Sequence, residues 1–338
     1  MPVIAVLGAG GWGTALAATL AEKSFPVRLW ARRREFAAEL TETRENKAYL
    51  PGVMIPPAVG ISADLERILF GAEMVVLSVP SQVLRGVLSL AVPLLPPHAI
   101  LVNTAKGLEV DSLLRLSEVM LQELPPAFSS RVAVLSGPSH AEEVARHQPT
   151  AVVVAALAPA VAAYVQEVFM GPYLRVYTNP DLVGVELGGA LKNVVALAVG
   201  MAEGLGLGDN SKAALITRGL AEITRLGIRL GANPHTFAGL TGIGDLVVTC
   251  TSRHSRNRRA GIALGRGKAL PDVLSEIGMV VEGVATTRAA CELANRLGVE
   301  MPIARQVNDV LFAGQAPEVG VANLMQREKT AEIEDLFL

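Results

Sequence analysis

The sequence contains little cysteine and no excess of positive charge. Cys250 and Cys291 are the only cysteines among 338 residues, too few for a disulfide framework or a cysteine-rich zinc site. Thirty basic residues against 32 acidic ones give a formal net charge of −2, whereas a general nucleic-acid-binding protein carries a marked basic excess. Proteins built on disulfides or a cysteine-rich zinc site, and general nucleic-acid-binding proteins, are therefore excluded. No metal site is expected either, because no His, Cys and Asp residues stand at ligand spacing.

The sequence also lacks an apolar run that would clearly span a membrane. Its mean hydropathy is +0.40, but the longest strongly apolar run, about residues 151–165, is shorter than the roughly 20 residues that a spanning helix needs. Pro159 divides this run. The chain starts Met1-Pro2 and continues into an apolar run with no basic leader. We therefore expect a cytoplasmic protein without membrane insertion.

The first half of the chain alternates short apolar runs with amphipathic stretches. Near-continuous apolar runs are typical of strands that are buried on both faces of a parallel sheet, and alternation with helices predicts a doubly wound α/β domain. The predicted strands are residues 3–7, 27–30, 74–79, 100–103, 132–135 and 151–155. The clearest predicted helices between them are residues 15–23, 82–95 and 112–124.

Beyond Asn179-Pro180 the strand pattern almost disappears and helical periodicity dominates. We therefore expect a dinucleotide-binding Rossmann domain at 1–185 and an all-helical substrate and catalytic domain at 186–338. The predicted helices of this second part are residues 181–203, 211–230, 256–264, 271–276, 284–297, 303–311 and 319–326.

A glycine-rich turn directly follows the first predicted strand and opens a helix. It reads Gly8-Ala9-Gly10-Gly11-Trp12-Gly13 and matches the pattern G-x-G-x-x-G, which is weak alone but specific in this context. The first glycine permits a tight turn, the second lets a pyrophosphate approach the backbone, and the third allows close packing of helix on strand. The turn predicts a dinucleotide site; the alternative is an ordinary turn.

The residues after the second predicted strand bear on the choice of dinucleotide. An NAD-selective site usually carries an acidic residue there for the ribose 2′-hydroxyl. This chain has Arg32 and Arg33 instead, and guanidinium groups suit a 2′-phosphate. NADPH is therefore favoured, while surface arginines at a solvated helix start remain the alternative.

Lys192 is unusual because it is the only charged residue between Glu186 and Glu203. A helix that is apolar nearly all round is a buried helix. Desolvation would lower the pKa of a buried lysine and make it available for proton transfer near neutral pH. The alternative is a side chain that reaches the surface at a domain edge.

Three loops also have the character of a site. Lys106 follows the strand 100–103, and ligands of open α/β sheets bind beyond the carboxyl ends of strands, although a plain loop lysine is the alternative. The loop 136–139, with Gly137 and Ser139, follows the next strand. Asp245 lies in the glycine-rich turn 241–246, where it is either a site carboxylate or a helix N-cap.

The richest basic cluster is residues 253–259. Ser255 has the pattern of an N-cap, which places Arg256 and Asn257 in the first helical turn. Arginine opposes the helix macrodipole there, and a bound phosphate would relieve the conflict. A solvated basic face is the alternative, and a nucleic-acid patch is disfavoured because aromatic residues are not interleaved.

Taken together, these segments resemble the bacterial NAD(P)-dependent glycerol-3-phosphate dehydrogenase family over essentially the whole chain. The motifs that carry the resemblance are, in chain order, residues 8–13, 78–81, 106–107, 136–139, 186–193, 242–246, 255–257 and 281–283. The resemblance implies reversible reduction of dihydroxyacetone phosphate to sn-glycerol 3-phosphate, the backbone precursor of phospholipids, with NADP or NAD as cofactor. It also implies a homodimer.

The resemblance further implies a role for individual residues. Lys192 would donate the proton to the ketone oxygen. The physical reading agrees, since Lys106 could help to stabilise the negative charge that develops on that oxygen and Asp245 could pair with Lys192 and hold it in place. The substrate site would comprise Lys106, Gly137, Ser139, Lys192, Asn193, Asp245, Thr249, Ser255, Arg256 and Asn257. The dinucleotide would contact Gly8, Gly10, Gly11, Trp12, Gly13, Arg32, Arg33, Lys106, Ala141, Arg256, Val280 and Glu282.

Two other functions remain open at this point. One is another two-domain dehydrogenase that acts on a hydroxy acid or on 6-phosphogluconate. The other is a non-catalytic NADPH sensor, which the lone buried lysine disfavours because a binding module gains nothing from that desolvation cost.

Overall fold

The computed structural model describes residues 1–329 and 331–332. The chain divides into two compact units. The first comprises Met1–Glu109 and Leu114–Glu186, and the second comprises Val110–Leu113 and the chain from Leu187 onward.

The first unit is built on an eight-stranded sheet of order β3-β2-β1-β4-β5-β6-β7-β8. All neighbouring strands are parallel except β6 and β7, which are antiparallel. The strand order reverses between β1 and β4, as in doubly wound nucleotide-binding sheets, so the predicted fold class is confirmed. The strands are β1 (Ile4–Leu7), β2 (Val27–Trp30), β3 (Gly60–Ser62), β4 (Met74–Leu77), β5 (Ile100–Asn103), β6 (Val132–Ser136), β7 (Thr150–Ala156) and β8 (Leu174–Asn179).

Helices cover both faces of this sheet. In β1, Ile4 and Val6 belong to one apolar core, and Ala5 and Leu7 belong to the other. Successive side chains of a strand point to opposite faces, which is why the strand is apolar without interruption. The helices of this unit are α1 (Gly11–Glu22), α2 (Arg34–Thr43), α3 (Leu65–Leu69), α4 (Leu84–Ala91), α5 (Leu116–Glu123), α6 (Ala141–Val144) and α7 (Pro159–Phe169).

The described part of the second unit is helical. Its helices are α8 (Leu182–Gly204, which begins in the first unit), α9 (Asp209–Arg229), α10 (Pro234–Phe237), α11 (Asp245–Thr251), α12 (Arg256–Gly265), α13 (Leu270–Ile277), α14 (Glu282–Leu297), α15 (Pro302–Phe312) and α16 (Pro317–Met325). Among the described residues, α8 alone is long and apolar enough to cross a membrane, yet 94% of its most apolar 18-residue window is buried inside the protein.

Glycines allow the backbones of α8 and α12 to touch. A Cβ atom on Gly200 of α8 would lie 2.2 Å from the carbonyl oxygen of Arg258, and one on Gly261 of α12 would lie 2.2 Å from that of Leu197. One helical turn later, Gly204 and Gly265 repeat the arrangement, each at 2.3 Å from a carbonyl oxygen of the other helix. Any side chain at these positions would force the helices apart.

Some details of the sequence prediction are wrong. Strands β3 and β8 were not predicted, because β3 has only three residues and β8 alternates buried and exposed side chains at the sheet edge. The strand predicted at 151–155 is antiparallel to β6, not part of an all-parallel sheet. The helix predicted at 112–124 is confined to α5, and the one predicted at 82–95 contains α4 between two 3₁₀ turns.

A buried carboxyl group joins two helices of the second unit. Both oxygens of Glu222, on α9, accept backbone N–H groups at the start of α15, from Ile303 at 2.6 Å and Ala304 at 3.2 Å. Burial nevertheless raises the pKa of Glu222 to about 7, although the two N–H donors act in the opposite direction. The group therefore changes its charge near neutral pH.

We expect Glu222 to make the stability of this unit depend on pH. The pKa of Glu222 in the folded protein lies above the ordinary value of 4.5. The contribution of Glu222 to the free energy of unfolding is therefore complete below about pH 4.5 and is lost as the pH rises through about 7. Relative to Glu222→Gln, the wild-type protein should lose about 3 kcal/mol of unfolding free energy between about pH 4.5 and about pH 8. Urea unfolding of both proteins measures this loss, and a difference that stays constant with pH would contradict it.

Candidate active site

The glycine-rich turn between β1 and α1 is shaped by contacts that exclude side chains. Gly8 has φ of 119°, and a Cβ atom there would lie 2.4 Å from the carbonyl oxygen of Ser78. A Cβ atom on Gly13 would lie 1.9 Å from the carbonyl oxygen of Gly8. The first and third glycines of the motif therefore make the turn tight and the helix close to the strand, as the pattern predicts.

The middle of the turn has room for a ligand. A Cβ atom on Gly10, the N-cap of α1, would meet no atom within 4 Å, so the backbone is open to approach there. The backbone is closed at the next residue, since a Cβ atom on Gly11 would lie 2.6 Å from the carbonyl oxygen of Tyr49 and 3.7 Å from the Cβ atom of Ala141, which starts α6. Trp12 is half-buried against the core. The N–H groups at the start of α1 and this opening fit the pyrophosphate of a dinucleotide.

The two arginines predicted to select the dinucleotide lie on the surface after β2. Arg32 and Arg33 are both exposed, and the guanidinium carbon of Arg33 lies 5.3 Å from the centre of the Phe36 ring. Arg33 is also the N-cap residue of α2. Both therefore stand at the carboxyl end of β2, where the ribose of a bound dinucleotide is held in doubly wound folds.

The carboxyl ends of β5 and β6 bring three predicted residues together. The Lys106 ammonium group donates to the carbonyl oxygen of Gly137 at 2.8 Å, and the Ser139 hydroxyl donates to the same oxygen at 3.1 Å. Gly137 has φ of 128°, which favours glycine. The Asn103 side chain holds the loop before Lys106 by two hydrogen bonds with the Ala105 backbone.

Lys192 lies in α8 with only 5% of its surface exposed. Its ammonium group donates to the carboxylate of Asp245 and, at 2.8 Å, to the hydroxyl of Thr249. The Thr249 hydroxyl in turn donates to the backbone oxygen of Asp245 at 2.6 Å. The predicted burial of Lys192 is confirmed, and the alternative of a side chain that reaches the surface is wrong.

Asp245 is placed by an unusual turn. The turn at Leu240–Gly244 is kinked at Gly242, whose φ of −90° and ψ of −105° are not helical, and it runs directly into α11. The turn approaches α8 closely, since a Cβ atom on Gly188 would lie 2.6 Å from the carbonyl oxygen of Thr241. Asp245 is the first residue of α11 and Gly244 is the N-cap, so the alternative role of Asp245 as an N-cap is wrong.

The basic cluster at the start of α12 contains arginines in different surroundings. Ser255 is the N-cap, and its hydroxyl oxygen accepts the Arg258 N–H at 3.2 Å, which confirms the predicted cap. The Arg258 guanidinium forms two hydrogen bonds with Glu203 of α8, at 3.0 and 2.6 Å. Arg256 is exposed and donates to the carbonyl oxygen of Val280 at 2.9 Å. Glu203 thus balances the charge of Arg258.

Asn257 ties the first turn of α12 to two other helices. Its Nδ2 donates to Oδ1 of Asn193 at 2.8 Å, and its Oδ1 accepts the Gly283 N–H at 2.8 Å. Gly283 follows Glu282 at the start of α14, so Glu282 is close to the first turn of α12. Because Lys192 and Asn193 are consecutive residues of α8, the lysine cluster and the start of α12 share that helix.

Two residues that support these groups were not predicted from the sequence: Glu203, which pairs with Arg258, and Asn46, whose side chain donates to the carbonyl oxygen of Ala9 in the glycine-rich turn. Glu203 could have been inferred as a partner for the arginines, but its position in the chain does not identify which one. Asn46 carries no local pattern. Among residues 1–329 and 331–332, no three His, Cys, Asp or Glu side chains are grouped so as to hold a metal ion.

The sequence matches two family profiles. Residues 3–162 match the N-terminal part of NAD-dependent glycerol-3-phosphate dehydrogenase, and residues 181–322 match its C-terminal part. The protein named glycerol-3-phosphate dehydrogenase [NAD(P)+] of Moorella thermoacetica is 60% identical over 331 residues, which are 98% of each chain. The chain belongs to the NAD-dependent glycerol-3-phosphate dehydrogenase family.

Further members of this family support the assignment. The glycerol-3-phosphate dehydrogenase [NAD(P)+] of Pelotomaculum thermopropionicum is 57% identical over 99% of this chain and 96% of its own. The crystal structure of glycerol-3-phosphate dehydrogenase from Coxiella burnetii superposes with a TM-score of 0.92 at 40% identity, covering 96% of this chain and 99% of that one. Membership in this family makes the protein an NAD(P)-dependent oxidoreductase.

Proposed function

We propose that this protein catalyses the reversible reduction of dihydroxyacetone phosphate to sn-glycerol 3-phosphate with NADPH or NADH. The observation that carries the proposal is a buried lysine bound to a carboxylate and a hydroxyl, in the same unit as a helix start rich in arginine. The first group suits proton transfer to a ketone and the second suits a phosphate. Members of the family are named for glycerol 3-phosphate.

The reduction needs a proton donor at the ketone oxygen. The dinucleotide, when bound, supplies the hydride to the ketone carbon. Negative charge then develops on the oxygen, and the Lys192 ammonium group both stabilises that charge and donates the proton. Asp245 and Thr249 hold the ammonium group in place by hydrogen bonds. In the reverse direction the neutral amine of Lys192 takes the proton from the hydroxyl group.

The remaining predicted residues bind and orient the substrate. Ser255, Arg256 and Asn257 would hold the phosphate at the start of α12, where backbone N–H groups and a guanidinium favour an anion. Fixing the phosphate uses binding energy remote from the reacting carbon to orient it. Gly137 and Ser139 would contact the substrate, and Lys106 would contact both the substrate and the dinucleotide, as the family resemblance implies.

We propose that the turn at residues 8–13 binds the pyrophosphate of the dinucleotide. Arg32 and Arg33 would bind the ribose 2′-phosphate of NADPH, and NADPH is therefore the preferred cofactor. By the resemblance, Ala141, Arg256, Val280 and Glu282 also contact the dinucleotide. We place the protein in the cytoplasm as a homodimer that supplies glycerophospholipid synthesis. The burial of α8 supports a protein without membrane insertion.

The reaction is tested by the absorbance of reduced nicotinamide with purified protein. We expect oxidation of NADPH with dihydroxyacetone phosphate and almost none with unphosphorylated dihydroxyacetone, because the latter lacks the anion that α12 binds. Hydroxy acid dehydrogenation and 6-phosphogluconate oxidation in the reverse direction are the controls for a different substrate. Protein that binds NADPH but oxidises it with neither dihydroxyacetone phosphate nor dihydroxyacetone would contradict the proposal.

Removal of the Lys192 amine should abolish turnover. We expect Lys192→Met to lower kcat by about 10²–10⁴-fold, since the proton donor is lost, while the dissociation constant for NADPH stays unchanged. Lys212→Met, which removes a lysine from an ion pair with Asp209 on α9, is the control and should leave kcat unchanged. Normal turnover in folded Lys192→Met would exclude Lys192 as the proton donor.

Removal of the Arg256 guanidinium should weaken substrate binding. We expect Arg256→Ala to raise KM for dihydroxyacetone phosphate by about 10–100-fold, the effect of losing a charge-assisted hydrogen bond. Arg259→Ala, an exposed arginine of the same helix, is the matched control and should change KM by less than about twofold. Equal effects in both variants would point to a general effect of charge and not to a phosphate contact at Arg256.

A further inference from the structure

A buried asparagine outside the predicted site contacts the glycine-rich turn. Asn46 follows α2 and has no exposed surface. Its Nδ2 donates to the carbonyl oxygen of Ala9 at 3.0 Å and to the hydroxyl oxygen of Thr14 at 2.7 Å. Its Oδ1 accepts the Tyr49 N–H at 3.1 Å. Both N–H groups and the carbonyl oxygen of the amide are engaged, so its orientation is fixed.

The first of these bonds fixes a peptide plane of the turn. The carbonyl oxygen of Ala9 belongs to the peptide bond between Ala9 and Gly10. Because this peptide is planar and trans, holding its oxygen against Asn46 also directs the Gly10 N–H to the opposite side. Asn46 therefore sets the direction of an N–H group at the point where the turn is open to a ligand.

The second bond fixes the start of α1. Thr14 is buried, and its backbone N–H donates to the carbonyl oxygen of Gly10 at 3.0 Å, which closes the first turn of the helix. A single amide group thus holds both ends of the segment from Ala9 to Thr14. The N–H groups at this end of the helix are the ones without helical partners, and they suit a pyrophosphate.

The chain next to Asn46 supports the same turn. A Cβ atom on Gly11 would lie 2.6 Å from the carbonyl oxygen of Tyr49, so the backbone of this loop touches the backbone of α1. Leu50 is fully buried and clusters with Ala15 of α1. The Leu50 N–H donates to the carbonyl oxygen of Asn46 at 2.8 Å, so the loop holds the asparagine in position.

We propose that Asn46 is a positioning residue for dinucleotide binding: its amide group holds the Ala9–Gly10 peptide and the first turn of α1 in the geometry that presents backbone N–H groups to the pyrophosphate. Asn46 acts through Ala9, Gly10 and Thr14. The inference rests on the proposed dinucleotide dependence of the enzyme. Because NADPH and NADH share the pyrophosphate, Asn46 affects both equally, whereas Arg32 and Arg33 are proposed to distinguish them.

Replacement of Asn46 tests the proposal in the full-length protein. We expect Asn46→Ala to raise the dissociation constants of NADPH and NADH by the same factor, about tenfold, as expected for the loss of a buried hydrogen-bond partner. At saturating dinucleotide, kcat and KM for dihydroxyacetone phosphate should stay within about twofold of the wild type. The fluorescence of the bound reduced dinucleotide measures binding. Alanine is preferred to aspartate, whose charge would itself repel a pyrophosphate.

Two further sets of variants separate positioning from a general loss of stability. Val119→Ala opens a cavity in the core on the other face of the sheet, so it should destabilise the unit and leave both dissociation constants unchanged. Thr14→Ser keeps the oxygen that accepts from Asn46 and should bind dinucleotide like the wild type, whereas Thr14→Val removes it and should bind more weakly. If Asn46→Ala does not fold, the comparison of Thr14→Ser with Thr14→Val tests the proposal in its place.

Unchanged dissociation constants in folded Asn46→Ala or in Thr14→Val would overturn the proposal, as would an equal loss of affinity in Val119→Ala. A different factor for NADPH and NADH would also overturn it. Failure of the proposed function gives another result: wild-type protein that binds NADPH but does not reduce dihydroxyacetone phosphate.

Discussion

The buried ion pair of Lys192 and Asp245 is the interaction on which the second unit depends. An unpaired ammonium group inside an apolar helix would cost several kcal/mol, so the lysine requires a carboxylate within hydrogen-bond distance. The carboxylate must therefore approach α8 more closely than ordinary side-chain packing allows. The kinked turn before Asp245 and the glycine at position 188, one helical turn before the lysine, provide that approach. The glycine at position 188 is therefore explained by the need to bring a carboxylate to a buried lysine.

The same helix fixes the distance from the lysine to the start of α12. Backbone contacts at Gly200 and Gly261 allow almost no change in the separation of the two helices, because flexible side chains do not lie between them. The Asn193–Asn257 hydrogen bond and the Glu203–Arg258 pair then fix the register of α12 along α8. The proposed proton donor and the proposed anion-binding helix start are therefore held at one spacing, as a substrate with a ketone and a phosphate on adjacent carbons requires.

Sequence patterns predicted the parts of this protein whose burial is uniform. Strands buried on both faces are continuously apolar, and Lys192 interrupts a continuously apolar helix, so both are visible in the sequence. Strand β8 was missed because Leu174 and Val176 are buried while Arg175 and Tyr177 are exposed at the sheet edge. The antiparallel direction of β7 was missed because two-sided burial gives the same pattern in either direction. The role of Asn46 could not be predicted, since it depends on a contact with residues more than 30 positions away.

Charge at the start of α12 bears on the choice between a phosphorylated ketone and a hydroxy acid. Arginines at the start of α12 oppose the positive end of the helix dipole, and the Glu203 carboxylate offsets the charge of Arg258. A phosphate, which carries about two negative charges and three acceptor oxygens, complements an arginine-rich helix start better than a carboxylate with one charge and two oxygens. The proton donor would serve either substrate equally. If α12 holds the substrate anion as proposed, it is α12 and not Lys192 that selects between the two substrates.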